Sequence, residues 1–213
     1  IIGINNEYFI SNNNSIIKVR EVRTGKLISS FKVKHYFGGL ISKNYFFNYS
    51  YDEGFLSVWD LKTGKELMNF GHSSITEEHM IIKITPDDKF LLTNLSKEEE
   101  SSNSNSIRIY EIGTGKLLAV LDFQDESPKY SRVRVSNNSK YVVLERTVWR
   151  KEQEKIKLEI YEIETGKLIY SIPGKFMSIS SSGNYLISNQ NDSLEIREIK
   201  SGKMVYTSFT NKD

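Results

Sequence analysis

Apolar and polar residues alternate one for one in five short stretches of this 213-residue chain, and each stretch runs into the same kind of turn. The clearest is Ile107-Arg108-Ile109-Tyr110-Glu111-Ile112, and Leu194-Glu195-Ile196-Arg197-Glu198-Ile199 is close to it. A period of two places successive side chains on opposite faces of an extended strand, so each stretch predicts a β-strand. After each comes an acid, two residues, Thr-Gly-Lys or Ser-Gly-Lys, and a second apolar run. Glycine takes a positive φ without a Cβ penalty, which a short hairpin loop or its bulge requires. The pattern therefore predicts five β-hairpins, turned at Gly25, Gly64, Gly115, Gly166 and Gly202.

Two further strands are predicted before each hairpin. In the third repeat they are Met80–Thr85 and Phe90–Leu95, joined by the turn Pro86-Asp87-Asp88-Lys89. The fourth has Arg132–Ser136 and Tyr141–Arg146, and the fifth Phe176–Ser180 and Asn184–Asn189. Each repeat is thus a four-stranded meander, its strands lettered a to d. Glycine spacings of 39, 51, 51 and 36 residues fit β-propeller blades rather than helical solenoids. One such sheet cannot bury both its faces, whereas sheets packed face to face can. The expected fold is all-β: a single β-propeller domain of five four-stranded antiparallel blades, at about 1–34, 35–78, 79–127, 128–174 and 175–213.

The second repeat carries a resemblance. Asp52-Glu53-Gly54 leads into Phe55-Leu56-Ser57-Val58-Trp59-Asp60, then Leu61-Lys62-Thr63-Gly64-Lys65, and ends at Gly71-His72. This grammar resembles the WD-repeat β-propellers across essentially the whole chain. The resemblance implies a buried network formed by His35, Ser50, Asp52 and Trp59. The other repeats depart from it, with Arg20-Glu21, Tyr110-Glu111, Tyr161-Glu162 and Arg197-Glu198 at the Trp-Asp position. The chain opens at a strand a with Ile1 and closes at a strand d, with no strand left over for a shared blade. Either five blades close unaided or the chain is part of a larger ring; the family's usual blade number favours the larger ring.

Composition narrows the function. A net charge of +2 gives no field for nucleic acid, and no apolar window approaches the length of a membrane span. The absence of cysteine removes disulfides and thiolate chemistry and leaves the compartment open, the cytoplasm being favoured over export. His72 and His79 bracket Glu77 and Glu78, but that loop spacing does not fix a tetrahedral metal site. No nucleophile elbow, phosphate loop or dinucleotide fingerprint occurs. Acids are absent from the five strands a, which counts against chemistry in a central channel. We expect no enzyme activity, cofactor or metal. The lysine after each turn glycine is expected to pair with the acid five residues earlier.

The candidate partner-binding residues lie at the opposite ends of the strands. Lys97–Asn105 interrupts the third repeat between strands b and c, and Thr147–Lys155 extends the fourth into a longer hairpin with a tip at Glu152-Gln153. Trp149 and Arg150 are of the types enriched in binding hot spots. Tyr49 and Tyr51 sit near the b–c turn of the second repeat, whose aromatic run Tyr45, Phe46, Phe47, Tyr49 and Tyr51 is expected to supply core between blades. The expected function is a scaffold recognising a protein partner on the face of the d–a and b–c loops. A small-molecule or glycan-binding propeller with pockets between blades is the alternative, and strand-c aromatics Trp59, Tyr110 and Tyr161 point weakly to it.

Overall fold

A computed structural model describes residues 3–34, 38–50, 55–70, 81–95, 106–122, 129–150 and 153–209; for 129–131, 148–150, 153–154 and 209 it describes the backbone alone. The described chain is all-β, with twenty strands in five four-stranded antiparallel sheets, each a meander of sequential neighbours. Sheet one comprises β1 (Gly3–Ile4), β2 (Tyr8–Asn13), β3 (Ile16–Glu21) and β4 (Leu27–Lys32). Sheet two holds β5 (Gly38–Ile41), β6 (Tyr45–Ser50), β7 (Phe55–Asp60) and β8 (Glu66–Phe70). Sheet three holds β9 (Ile82–Ile84), β10 (Phe90–Thr93), β11 (Ser106–Glu111) and β12 (Lys116–Asp122). Sheet four comprises β13 (Lys129–Val135), β14 (Tyr141–Arg150), β15 (Gln153–Glu162) and β16 (Leu168–Pro173). Sheet five comprises β17 (Lys175–Ile179), β18 (Tyr185–Gln190), β19 (Ser193–Glu198) and β20 (Met204–Phe209). These are the five blade units expected from the alternation.

Two compact units divide the chain. One is Ile1–Ile82, Thr93–Ser104 and Tyr110–Leu117; the other is Lys83–Leu92, Asn105–Ile109 and Leu118–Asp213. Sheets one and two belong to the first and sheets four and five to the second, with sheet three contributing to both.

The turn between strands c and d is built alike wherever it occurs. All five turn glycines have φ between 66° and 71°. In sheet one the Gly25 N–H donates to the Glu21 carbonyl and the Glu21 N–H to the Lys26 carbonyl, both at 2.9 Å. The ladder then slips by one residue, Val19 pairing with Ser29 and Arg20 with Leu27, as a bulge beside a left-handed residue requires. The acid before the turn has a different partner from the one expected. Its carboxylate accepts the hydroxyl three residues on: Thr24 to Glu21, Thr63 to Asp60 (2.8 Å), Thr114 to Glu111 (2.5 Å), Thr165 to Glu162 (2.6 Å) and Ser201 to Glu198. The short polar side chain is already in the loop and needs no long ammonium to be immobilised. Among the described residues none of the five lysines forms an ion pair with its acid.

Both faces of the inner strands are buried, unlike those of a two-layer sheet. On β6 Phe46 and Phe47 point to opposite faces and are both almost fully buried. Phe46 joins Tyr8, Ile10, Ile17, Val19 and Phe31 in a core shared by sheets one and two. Phe70, on the other face of sheet two, meets Tyr110 edge-on at 5.1 Å. A second core, with Val143, Leu158, Ile160, Leu186 and Ile199, lies between sheets four and five. The aromatic run thus supplies core on both faces of its sheet rather than on one.

Turn glycines are also inter-sheet contacts. A Cβ on Gly64 would lie 3.1 Å from the Phe31 ring of sheet one, and one on Gly202 would lie 3.0 Å from the Tyr170 ring of sheet four. A Cβ on Gly166 would sit 2.4 Å from Ala119 Cβ. Glycine is required here twice, by its positive φ and by the neighbouring outer strand.

Candidate functional site

The end bearing the a–b turns is tied together by polar side chains. In sheets three, four and five one motif recurs: a hydroxyl accepts the N–H five residues on and donates to the side chain two residues on. Thr85 takes the Phe90 N–H at 3.0 Å and reaches Asp87 at 2.7 Å; Ser136 takes Tyr141 at 2.9 Å and reaches Asn138 at 2.7 Å. Ser180 likewise takes the Tyr185 N–H at 3.1 Å and shares a hydrogen bond with the Ser182 hydroxyl at 3.1 Å. Neighbouring turns then bond to each other. The Asp87 N–H donates to Ser139 at 3.1 Å, Asn138 to the Gly183 carbonyl at 3.1 Å, and Asn5 to the Ser42 carbonyl at 2.7 Å. Asp87 sits among these donors. Burial raises its carboxyl, but Thr85, the Lys89 N–H, Ser139 and the Lys89 charge outweigh that and hold it below the ordinary value. This end is occupied by its own hydrogen bonds.

The longest feature lies at the b–c end. Strands β14 and β15 pair residue for residue from Tyr141–Glu162 out to Arg150–Gln153. Their flanking strands stop earlier, β13 at the pair Lys129–Thr147 and β16 at the pair Lys157–Pro173. Over Val148–Arg150 and Gln153–Lys155 the paired strands are therefore a two-stranded ribbon beyond their flanking strands. Trp149 pairs with Glu154, and Arg150 is the last paired residue of its strand. Gln153 is a strand residue paired with Arg150, where the spacing had placed it in the tip. The other b strands are four to six residues long. The insertion Lys97–Asn105 and the histidines His35, His72 and His79 lie outside the described residues, as do Tyr51 and Asp52.

Of the four residues named for a buried network, His35 and Asp52 lie outside the described residues, and the other two stand apart. Ser50 is buried at the end of β6 opposite Phe55, while Trp59 stands opposite Phe46. Four residues of strand, roughly 13 Å, separate those positions. The Trp59 indole N–H instead donates to Ser57, two residues back on its own strand, at 2.8 Å. Tyr49 is half-buried on β6, and a Cβ on Gly38 opposite would touch its ring at 3.4 Å.

The Trp59–Ser57 pair belongs to a wider pattern that alternation alone did not disclose. The residues three and one before the turn acid on strand c share a face and bond to each other in three sheets. In sheet four Tyr161 donates to Glu159 at 3.1 Å, and in sheet five Arg197 donates to Glu195 at 3.2 and 3.0 Å. Sheet four elaborates the pair into a buried cluster. Arg146 grips both Glu159 oxygens at 3.2 and 3.1 Å, and the Lys157 ammonium lies 2.8 Å from one of them. Burial raises the Glu159 carboxyl, but Lys157 and Arg146 together hold it below its ordinary value. Burial and the adjacent Glu159 carboxylate push the Tyr161 phenol well up. Glu159 thus accepts hydrogen bonds from Arg146 and Tyr161 and an ion pair from Lys157. Glu145, next along β14, accepts the Phe176 N–H of sheet five at 2.7 Å.

Sheets one and two leave a groove between them of about 290 Å³. Its walls are Lys32, Val33 and Lys34 from the outer edge of sheet one, and Phe55, Ser57, Trp59, Glu66 and Asn69 from sheet two. Trp59 stacks on Phe31 with centroids 4.7 Å apart and planes 7° apart, which fixes the indole. Asn69 donates to Glu66 at 2.6 Å, leaving two ammonium groups against one engaged carboxylate. A volume near 300 Å³ with a fixed aromatic wall suits a ligand of single-ring size. Among the described residues no three His, Asp or Glu side chains converge as a metal site requires, and no helix is long and apolar enough to cross a membrane. The sequence matches no profile of a known protein family, and no curated protein matches it significantly.

Proposed function

We propose that this chain is a non-catalytic, WD-like propeller module that recognises a protein partner through the face bearing its b–c and d–a loops. The observation that carries the reading is the β14–β15 ribbon. It extends beyond the strands that flank it in its sheet, and it brings Trp149 and Arg150 outward along the backbone. Rigid sheets with loops of unequal length suit recognition, since the scaffold fixes the loops and the loops vary without cost to the core. The fully engaged carboxylate of Glu159 favours a structural over a catalytic use of the most buried charges. Capture from an extract of the source organism tests this reading with wild type and the Trp149→Ala/Arg150→Ala double variant side by side. Partners held by the wild type should fall at least tenfold with the variant, as for a hot-spot pair. Equal recovery of every partner removes these two residues from the interface.

The groove at Trp59 favours a second reading, a small ligand bound between sheets. Its two lysines and fixed indole suit a carboxylate-bearing ring, such as a sugar acid. Trp149→Phe leaves Trp59 as the sole tryptophan. A saturable change in its emission with glucuronate, abolished by Lys32→Ala/Lys34→Ala, would support this reading; no change would remove it.

A further inference from the structure

One place on strand c, three residues before the turn acid, holds a long charged side chain in four of the five sheets: Lys18, Arg108, Glu159 and Glu195. The last three are buried there. In sheet two the same place holds Ser57, and the groove between sheets one and two lies against it. A short side chain leaves open what its longer counterparts fill.

The two carboxylates at this place show the chemistry it holds. Glu159 accepts the Tyr161 hydroxyl, and Glu195 accepts Arg197 at 3.2 and 3.0 Å, each donor standing one residue before its turn acid. In sheet four Arg146 and Lys157 add their positive charges to the same carboxylate. Sheet two keeps a donor and cations and lacks the anion. The Trp59 indole N–H stands at the sequence place of Tyr161 and Arg197, and Lys32 and Lys34 line the groove. The groove's own acid, Glu66, is held by Asn69.

Ser57 itself is short of a partner. It is 1% exposed and accepts the indole N–H at 2.8 Å. A hydroxyl that accepts in this way turns its own proton elsewhere, and among the described residues that proton has no acceptor. A buried donor left unpaired is unfavourable, and a carboxylate oxygen entering the groove would supply the missing acceptor.

We propose that the groove is a carboxylate receptor: the ligand's carboxylate seats at Ser57, in the place that the Glu159 and Glu195 side chains fill in their own sheets, and Ser57 is the residue that makes the groove selective for it. This rests on the small-ligand reading of the groove and adds the seat of the charge. The Ser57 hydroxyl donates to one oxygen, Lys32 and Lys34 balance the charge, and the Trp59 ring flanks the rest of the ligand. Sheets four and five need no ligand there because each carries its own anion.

Two measurements test this on the Trp149→Phe background, in which Trp59 is the sole tryptophan. The first is the emission of Trp59 during titration with glucuronate or with glucuronamide, its uncharged counterpart. Glucuronate should give a saturable change and glucuronamide none. Ser57→Ala should raise the half-saturating glucuronate concentration at least about tenfold, as loss of a hydrogen bond to a charged group does. Ser57→Glu, which supplies the anion from within, should abolish the response. An unchanged response to glucuronate in both variants overturns the seat at Ser57 and leaves the small-ligand reading standing. An equal response to glucuronamide does the same. Silence of the parent toward glucuronate overturns both.

The second measurement needs no ligand and shows that Ser57→Glu acts through its charge. A carboxylate held by Lys32 and Lys34 has its folded pKa lowered, so its stabilisation is present above the unfolded value and is lost as pH falls. Measured against the parent, in which Glu66 titrates equally, the melting temperature of Ser57→Glu should rise between about pH 4 and about pH 7. Ser57→Gln, of the same size and uncharged, should show no such rise, and Lys32→Ala/Lys34→Ala should remove it. A melting temperature that falls against the parent over that range means that the place rejects an anion, and it overturns the proposal.

Discussion

At the scale of single residues, the strongest constraint is the buried charge of Glu159. Arg146 and Lys157 hold its folded carboxyl below the ordinary value of 4.5. A lowered folded pKa gives stability that is present above the unfolded value and is lost as pH falls through the folded one. Glu159→Gln removes the buried carboxylate that Arg146 and Lys157 share, a loss of roughly 3 kcal/mol near neutral pH. Urea denaturation at a series of pH values should show that gap held above pH 4.5 and closing below it. The glycines give a second contrast. Gly25→Ala pays only for the left-handed backbone, about 1 kcal/mol. Gly166→Ala pays that and a clash with Ala119, so it should lose at least twice as much in the same measurement. Equal losses at both positions would mean that the turn of sheet four does not pack on sheet three.

At the scale of elements, the a–b turns of sheets three, four and five rest on one hydroxyl each. Ser136→Ala strands the Tyr141 N–H in a buried setting and should cost about 1–3 kcal/mol. Ser180→Ala removes the same bond at an exposed turn, where water replaces it, and should cost less than half as much by thermal melting. This motif was not read from the sequence, although Thr85-x-Asp87, Ser136-x-Asn138 and Ser180-x-Ser182 stand at equivalent places in three repeats. The period-two signal and the Thr-Gly turns dominate those segments, and the turn residues read only as loop. The strands themselves were legible, because alternation and a positive-φ glycine are local properties. The partner of each acid was not: a spacing of five suits a cross-hairpin lysine and a spacing of three a loop hydroxyl, and only the bulge decides. Nor could spacing reveal that Ser50 and Trp59 are held apart, since register is set by the turn between their strands.

At the scale of the whole chain, repetition made the architecture readable where no single segment would have. Five hairpins at near-regular spacing imply five equivalent sheets, and the sheets are there. Alternation misled in one respect. Arg108, Glu159 and Glu195 occupy the polar phase of their strands and read as solvent-facing, yet all three are buried. Stacked sheets cover both faces, so a polar residue in that phase must find a partner inside, as Glu159 and Glu195 do. The groove at Trp59 was legible only as an aromatic on strand c; its lysines come from the preceding sheet, a proximity that no local pattern encodes.

Hydrogen exchange read by mass spectrometry tests most directly whether five equivalent sheets carry this chain. The slowest amides should fall in five separate blocks, at 16–21, 55–60, 106–111, 157–162 and 193–198, each flanked by faster turns at its glycine. The ribbon residues Val148–Arg150 and Gln153–Lys155 should exchange faster than the adjoining Tyr141–Arg146. Protection merged into one or two continuous blocks, or absent from any of the five, would contradict the stacked-sheet architecture and the functional reading built on it.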